Sequence, residues 1–227
     1  GFRWRWSHTF PHSRTLQTKN DYDHEIQVSR PTDLIAFFLN FIPFTDLLFP
    51  HRLIKYEVIK HAFGFFTPVV GITASANEKK KILWNSRLYV FIWIVIIALS
   101  LYYKTILPLL YIILPTYYGK PLWFLVNVTQ HLGAALDTTD HRESTYSLKI
   151  NPVFSFLYWH MEYHLEHHMF PTIPSYNLKK LQKLIKDQVP KPFPSLFAFY
   201  KEVLPVVIKQ ATDPNHYYKT NSSITKS

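Results

Sequence analysis

The chain has no cysteine and only five glycines among its 227 residues. Without cysteine, disulfide bonds and thiolate metal sites are excluded, so any bound metal must be held by nitrogen or oxygen ligands. The few glycines, the 16 prolines and the 48% of hydrophobic residues argue against disorder and for many helix ends. The chain also lacks internal repeats and the alternating pattern of β-strands. We therefore predict an all-α fold.

Aromatic residues and positive charge, in contrast, are abundant. Aromatics make up 17% of the chain, which is typical of proteins that lie at a membrane interface. The formal net charge of +10 suits nucleic acid, anionic lipid or an acidic redox partner equally well. We predict no nucleic-acid binding, because the basic residues lie beside apolar segments and no recognised binding module is present. The twelve histidines are the main candidates for chemistry.

Two long apolar runs predict a transmembrane hairpin at approximately residues 88–127. The first run, LYVFIWIVIIALSLYY, covers residues 88–103 without a charge, and the second follows Lys104. The first run is slightly shorter than the roughly 20 residues that span a bilayer, but its aromatic flanks extend it. The alternative is a buried hairpin of a large soluble protein, yet nothing else in the chain could cover so much apolar surface. We therefore predict an integral membrane helical protein.

Basic residues before the first run predict its orientation. The three lysines at 79–81 and Arg87 should stay in the cytoplasm under the positive-inside rule. Because two crossings return the chain to the same side, the residues before 82 and those after about 127 should share the cytoplasmic face. We predict a histidine-rich helical cap there.

The cap should contain amphipathic helices. Residues 32–66 alternate apolar blocks with prolines, which predicts short helices along the membrane surface, the first of them capped by Asp33. Residues 176–211 predict two amphipathic helices that are separated by prolines and carry lysines on one face. These lysines could steer an acidic electron carrier, and a solvated helix face near anionic lipid is an equally good interpretation.

The segment H-L-E-H-H at residues 164–168 is the strongest chemical signal. In a helix, His164 and His168 point the same way, while His167 lies about 100° round from His168. The first pair suits one metal ion, and the adjacent histidine suits a second ion a few ångströms away. Three imidazoles so close would repel if protonated, so a shared cation is the simpler explanation. His160, one turn earlier, remains open as a ligand, a hydrogen-bond donor to a ligand or an interfacial residue.

Two other segments supply histidines that the hairpin would bring to the same side. RWSHTFPHSRT contains His8 and His12, which are again four residues apart, and NVTQHLG contains His131 at the end of the second run. Iron, copper or zinc would each accept imidazole ligands. The zinc hydrolase motif H-E-x-x-H is absent. The isolated histidines are interpreted as ordinary core or surface residues, namely His51, His61 and His216.

The order of these segments resembles the integral-membrane fatty acid desaturase superfamily, and its bacterial-type branch in particular. The matching elements are W-S-H-T-x-x-H-S-R-T, the membrane hairpin, Q-H-L-G, D-H-R, N-P-V-F-S-F-L-Y-W and H-L-E-H-H-M-F-P. The resemblance extends from Trp6 to about residue 200. We interpret residues 1–227 as a single desaturase-like domain, with a disordered polar tail at residues 215–227. Because the chain begins at Gly1 inside a motif, we expect it to be an N-terminally truncated fragment.

The resemblance implies a non-haem di-iron centre with two iron ions, O2 as co-substrate and a fatty acyl substrate in the lipid bilayer. It also implies a ferredoxin or a cytochrome-type protein as electron donor. Asn127 matches a position where some relatives have a water-mediated ligand. No catalytic residue beyond the metal ligands is implied. Carried over to this sequence, the metal ligands are His8, His12, His131, His164, His167 and His168.

Two departures from the family pattern leave the activity open. The first histidine box would lie upstream of Gly1, so the fragment itself is expected to be inactive. Pro11 stands where the second box would carry a histidine, unless His24 or Glu25 takes over that position. The leading hypothesis is O2-dependent desaturation of fatty acyl chains. The alternatives are hydroxylation of a lipid, alkane or carotenoid on the same metal core, and a metal-deficient membrane pseudoenzyme, which Pro11 favours.

Overall fold

The computed structural model describes residue 16 and residues 28–48 and 54–220. These residues form helices and loops, and their β-type pairing is limited to an isolated bridge between Leu148 and Phe193. The prediction of an all-α fold is confirmed. The described residues divide into two compact units. We call the unit of residues 39–124 the membrane unit, and the unit of residues 16–38 and 125–220 the histidine unit.

The helices are short apart from two. The α-helices are α1 (Pro31–Leu39), α2 (Ile54–Ala62), α3 (Pro68–Thr73), α4 (Ala76–Tyr102), α5 (Pro115–Tyr118), α6 (Lys120–Asn127), α7 (His141–Ser144), α8 (Pro152–Leu157), α9 (His164–Met169), α10 (Leu178–Ile185) and α11 (Leu196–Gln210). A π-helical turn covers Leu109–Ile113, and 3₁₀ turns cover Thr45–Leu48, Val128–Gln130 and Ser175–Asn177.

Helix α4 begins well before the apolar run that predicted it, because the sequence provides a capping box. The Ser75 hydroxyl accepts a hydrogen bond from the Glu78 backbone N–H, and the Glu78 carboxylate accepts one from the Ser75 N–H at 3.0 Å. The helix has 27 residues, so its length of about 40 Å exceeds the hydrocarbon core of a bilayer. It ends before Lys104, which has a φ of 49° and turns the chain.

Two helical segments are long and apolar enough to cross a membrane, namely Ala76–Tyr102 and Leu109–Gln130. The core helix of a soluble protein would be mostly buried, but large apolar side chains of the first segment are exposed. Phe91 is 62% exposed and Leu101 is 74% exposed. These surfaces suit lipid better than water. The prediction of a helical membrane protein with two apolar helices is therefore confirmed.

Two polar side chains of the membrane unit form hydrogen bonds with nearby backbone groups. The Arg87 side chain donates a hydrogen bond to the carbonyl of Ala62 at the end of α2, at 3.1 Å. His61 is fully buried, and its Nε2 accepts a hydrogen bond from the Thr67 backbone N–H at 3.2 Å. His61 thus has the structural role that we expected from its isolated position.

Helix α11 forms the core of the histidine unit. Phe199, Val203 and Val207 are completely buried along one face of this helix. The loop after His131 passes close to that face at Gly133, where φ is +70° and an added Cβ would lie 3.0 Å from a Val203 methyl carbon. Only glycine combines that backbone conformation with that approach. The packing of α11 therefore fixes the loop that carries His131.

The predicted cap of the first helix is wrong, whereas the two predicted amphipathic helices near the C-terminus are present in the structure. Helix α1 begins at Pro31, because proline suits the first helical position, so Asp33 lies in the first turn and is not the cap. Asp33 instead accepts a hydrogen bond from the Ser29 backbone N–H at 3.2 Å. Helices α10 and α11 lie where two amphipathic helices were predicted. The lysines of the first are exposed, namely Lys179, Lys180 and Lys183, as is Lys186 just after it.

The tail predicted from residue 215 is described up to residue 220. Within this part, the Tyr218 backbone N–H donates to the Gly133 carbonyl at 2.8 Å, and the Tyr218 hydroxyl donates to Glu202 at 2.5 Å. Residues 221–227 lie outside the described residues, so the disorder predicted for them stays a prediction.

Candidate metal centre

Three buried histidines of the histidine unit converge on one point. The ring nitrogens of His131, His164 and His168 lie within 4.8 Å of one another. Nε2 of His164 is 3.1 Å from Nε2 of His131 and 3.0 Å from Nε2 of His168. We call these three residues the histidine triad. Its members come from two segments distant in sequence, so the triad exists only in the folded unit.

Helix α9 sets the spacing of two triad members. His164 is its first residue and His168 lies one turn later, so both side chains share one face. The intervening Leu165 is buried and packs with Ile185 and Val189. This apolar contact holds α9 in place, so the face with the histidines points consistently toward His131.

A segment at residues 144–148 connects α9 with the turn that carries His131. The Tyr146 backbone N–H donates to the Gln130 carbonyl at 2.9 Å, and the Leu148 N–H donates to the Glu162 carbonyl at 2.8 Å. Both bonds are made between buried residues, where an unpaired backbone group would be costly. The segment thereby fixes the distance between the two sources of triad histidines.

The backbone also selects the tautomer of His131. Its Nδ1–H donates to the Ser144 carbonyl at 2.8 Å, which leaves a lone pair on Nε2. Nε2 of His164 then lies between the Nε2 atoms of His131 and His168. A neutral ring nitrogen carries one proton or one lone pair, so it cannot make a good hydrogen bond to both neighbours. A cation shared by the three nitrogens satisfies both contacts at once.

The separations fit a metal ion. Two nitrogens that bind one ion at about 2.1 Å and at right angles are roughly 3.0 Å apart. The two short Nε2 distances of the triad match this value. Neutral imidazole is an accepted ligand of iron, copper and zinc. The donor set and its geometry therefore fit a transition metal with three nitrogen ligands on one side.

His167 lies beside the triad but outside it. Its ring centroid is 5.7 Å from that of His164 and 6.1 Å from that of His168. This position follows from the helix of α9, in which adjacent residues diverge by about 100°. His167 could therefore serve a neighbouring ion, as the spacing predicts.

The remaining predicted site residues have different outcomes. Asn127 is the last residue of α6, one turn before His131. His8 and His12 lie outside the described residues, as do Pro11, His24 and Glu25. The set of six histidine ligands thus stays a prediction, with four members in or beside one cluster.

His160 is not a member of the histidine triad in the described residues. Its Nδ1 lies 2.8 Å from the Ser155 hydroxyl, which in turn donates a very short hydrogen bond to the Glu162 carboxylate. Trp159 and His160 both have a φ of 58°, a left-handed conformation that side-chain-bearing residues rarely adopt. The pair makes the sharp turn between α8 and α9. The polar contacts of His160 are with Ser155 and Glu162, neither of which is a predicted metal ligand, and the three roles left open for His160 stay predictions.

His141 was not among the predicted site residues, although it lies in the D-H-R motif. The His141 ring lies 5.4 Å from the His168 ring, centroid to centroid. Burial lowers the pKa of His141, whereas the carboxylate of Asp140 opposes this shift and His131 adds to it. Hydrogen bonds from Arg142 lower the pKa of Asp140. A histidine within a charged motif near the H-L-E-H-H box was the available signal.

A buried carboxylate inside the box was also missed. Glu166 is fully buried within α9, and the Ser147 hydroxyl donates to it at 2.5 Å. Burial raises the pKa of Glu166, and this hydrogen bond partly offsets the shift. Because Ser147 belongs to the connecting segment, the bond ties α9 to the same segment that orients His131.

Comparisons with known proteins give one match. The family model described as fatty acid desaturase matches residues 1–200. No curated protein and no solved structure matches the chain. The matched residues include the whole triad, His141 and His167.

Proposed function

Because the chain belongs to the fatty acid desaturase family, we propose that it is part of a membrane-bound di-iron oxidoreductase that desaturates fatty acyl chains with O2. The observation that carries this proposal is the convergence of three buried Nε2 atoms at a spacing that suits one metal ion. Bound iron supplies the O2 chemistry needed to remove hydrogen from an unactivated alkyl chain, which no side chain can do.

The triad would hold one ion, and the surrounding residues would keep it in a fixed geometry. The Ser144 carbonyl orients His131 through Nδ1, and Leu165 anchors the helix that carries the other two ligands. All three imidazoles are almost fully buried, which limits the access of water to the reacting centre. His167 would bind the second ion, together with His8 and His12.

The proposal also specifies the class of substrate and a location in the membrane. A fatty acyl chain is apolar, so its enzyme must work at the bilayer, and two helices of this chain are long enough to span it. The lysines at 79–81 and Arg87 favour an orientation in which the N-terminal end of α4 faces the cytoplasm. We place the histidines on that same face.

Electrons would come from a ferredoxin or a cytochrome-type protein. The exposed lysines of α10, with Lys186 just after it, offer a basic surface that could attract such an acidic partner. The salt dependence of the reduction rate would test this, because steering by charge weakens as ionic strength rises.

Product analysis tests the reaction itself. Cells that express the complete gene should accumulate fatty acids that are two hydrogens lighter, as detected by mass spectrometry. A product with one added oxygen would instead support the hydroxylase alternative, which uses the same metal core.

Iron content tests the pseudoenzyme alternative, which rests on Pro11 in the second box. The proposal expects close to two iron ions per purified protein. Protein that is folded but contains almost no iron after reconstitution would favour the pseudoenzyme.

A further inference from the structure

We propose that His141 supplies a fourth imidazole to the metal ion held by the histidine triad. The inference rests on the proposed function, because it takes the triad to be a metal site. The resemblance gives His141 no role, and its assignment comes from its position in the histidine unit.

The imidazole ring of His141 lies next to that of His168, a member of the triad. Its centroid lies 5.4 Å from that of His168, with the two ring planes tilted by 53°. Within the triad the corresponding distances are 4.6 to 4.9 Å. His141 is thus only slightly farther from His168 than the triad rings are from one another. Coordination of the shared ion by His141 requires a rotation about its side-chain bonds, since the ligand atoms within 4.8 Å of one another belong to His131, His164 and His168.

A ring nitrogen of His141 is available for such a bond. Its Nδ1 is buried and makes no hydrogen bond among the described residues. A buried polar atom of this kind is normally paired, and an exception calls for an explanation such as an ion. Coordination by Nδ1 would supply the missing partner.

The turn that carries His141 already serves the triad in another way. Helix α7 is capped by Asp140, whose carboxylate accepts from the Arg142 N–H at 2.9 Å and from the Arg142 guanidinium at 2.7 Å. At the other end of this four-residue helix, the Ser144 carbonyl accepts the hydrogen bond from His131. Helix α7, which the Asp140–Arg142 hydrogen bonds hold, therefore places a hydrogen-bond acceptor next to His131 and an imidazole next to His168.

A metal titration tests the assignment on the purified full-length protein. Co²⁺ is added to the apo protein in competition with a chromogenic chelator, and the wild type is compared with His141→Gln. Loss of the fourth imidazole should weaken Co²⁺ binding by about 10- to 100-fold. The matched control is His216→Gln, because His216 is neither a member of the histidine triad nor a predicted ligand. Circular dichroism checks that each variant is folded.

A cysteine substitution separates ligation from packing. These 227 residues contain no cysteine, so His141→Cys places a new thiol at residue 141, and a thiolate-to-cobalt charge-transfer band from it is read as a difference from the wild type. Appearance of that band in the near ultraviolet on Co²⁺ addition is the expected result. A folded His141→Cys protein that binds Co²⁺ without the band, or His141→Gln with wild-type affinity, would overturn the inference and leave the proposed function standing. A wild type that binds no metal would overturn the proposed function as well.

Discussion

In the membrane unit, large apolar side chains point outward along α4, where Trp84 is 65% exposed and Ile94 is 58% exposed. In the histidine unit, titratable groups are buried instead, with Glu166 at 0% and His164 at 3% exposure. Each arrangement would be unfavourable in a soluble protein without a partner. The difference fits the proposed function, in which lipid covers the first unit and a metal ion occupies the second.

The largest expected effect comes from removing the central nitrogen of the triad. His164→Ala should weaken Co²⁺ or Fe²⁺ binding by more than about 100-fold, because this ring contacts both other members. His61→Ala removes an equally buried histidine from the membrane unit and should leave the metal bound per folded protein unchanged. Equal loss of metal in both variants would contradict the assignment of the metal site to the histidine unit.

The next largest difference between the two units is expected when an exposed apolar residue of each is replaced by arginine. Ile94→Arg, near the middle of α4, should disfavour membrane insertion by about 3 kcal/mol. Leu184→Arg in α10, where the side chain is 80% exposed, should change stability by less than about 0.5 kcal/mol. Insertion of α4 can be measured with glycosylation sites in its flanks, and thermal unfolding reports on α10. Normal insertion of Ile94→Arg would argue that α4 does not face lipid.

Replacing a glycine by alanine should have a smaller effect on stability, and the effect should have opposite signs in the two units. Gly133→Ala should destabilise the histidine unit by about 1 to 3 kcal/mol, because φ is positive and the new methyl group would press on Val203 and Val207. Gly71→Ala, in α3, meets no atom within 4 Å and should stabilise by about 0.4 to 1 kcal/mol. Chemical denaturation in detergent measures both. Stabilisation by Gly133→Ala would show that the loop after His131 is not held against α11.

The smallest expected effect is a pH dependence confined to the histidine unit. Burial, aided by the hydrogen bond to Glu202, raises the pKa of Tyr218 to about 12. A folded-state pKa above the unfolded value contributes stability that is present below pH 10 and lost as the pH rises toward 12. Because the side chain is partly exposed, we expect only about 1 kcal/mol. Tyr218→Phe should flatten the alkaline unfolding profile, while Tyr176→Phe, at an exposed position, should not.

Local patterns in the sequence were sufficient to predict the helical class and the alignment of His164 with His168. An uncharged apolar run and a four-residue spacing depend only on helix geometry, which neighbouring residues determine. The start of α4 at Ala76 was also a local signal, the Ser75 and Glu78 capping box, and it was overlooked. Element boundaries were therefore less accurate than element types.

Contacts between distant segments could not be predicted in this way. The bond from His131 to the Ser144 carbonyl joins residues 13 apart through a turn with no periodic pattern. The approach of His141 to His168 likewise depends on how α7 packs against α9. Spacing within a motif indicates which side chains share a face, but only the fold shows what lies opposite that face.

The second apolar helix ends at Gln130, and His131 is the next residue. Nothing flexible separates the anchor in the bilayer from the first nitrogen of the triad. The end of this helix and the position of the His131 backbone are therefore coupled, so lengthening or shortening the helix near Gln130 should move His131 relative to His164 and His168.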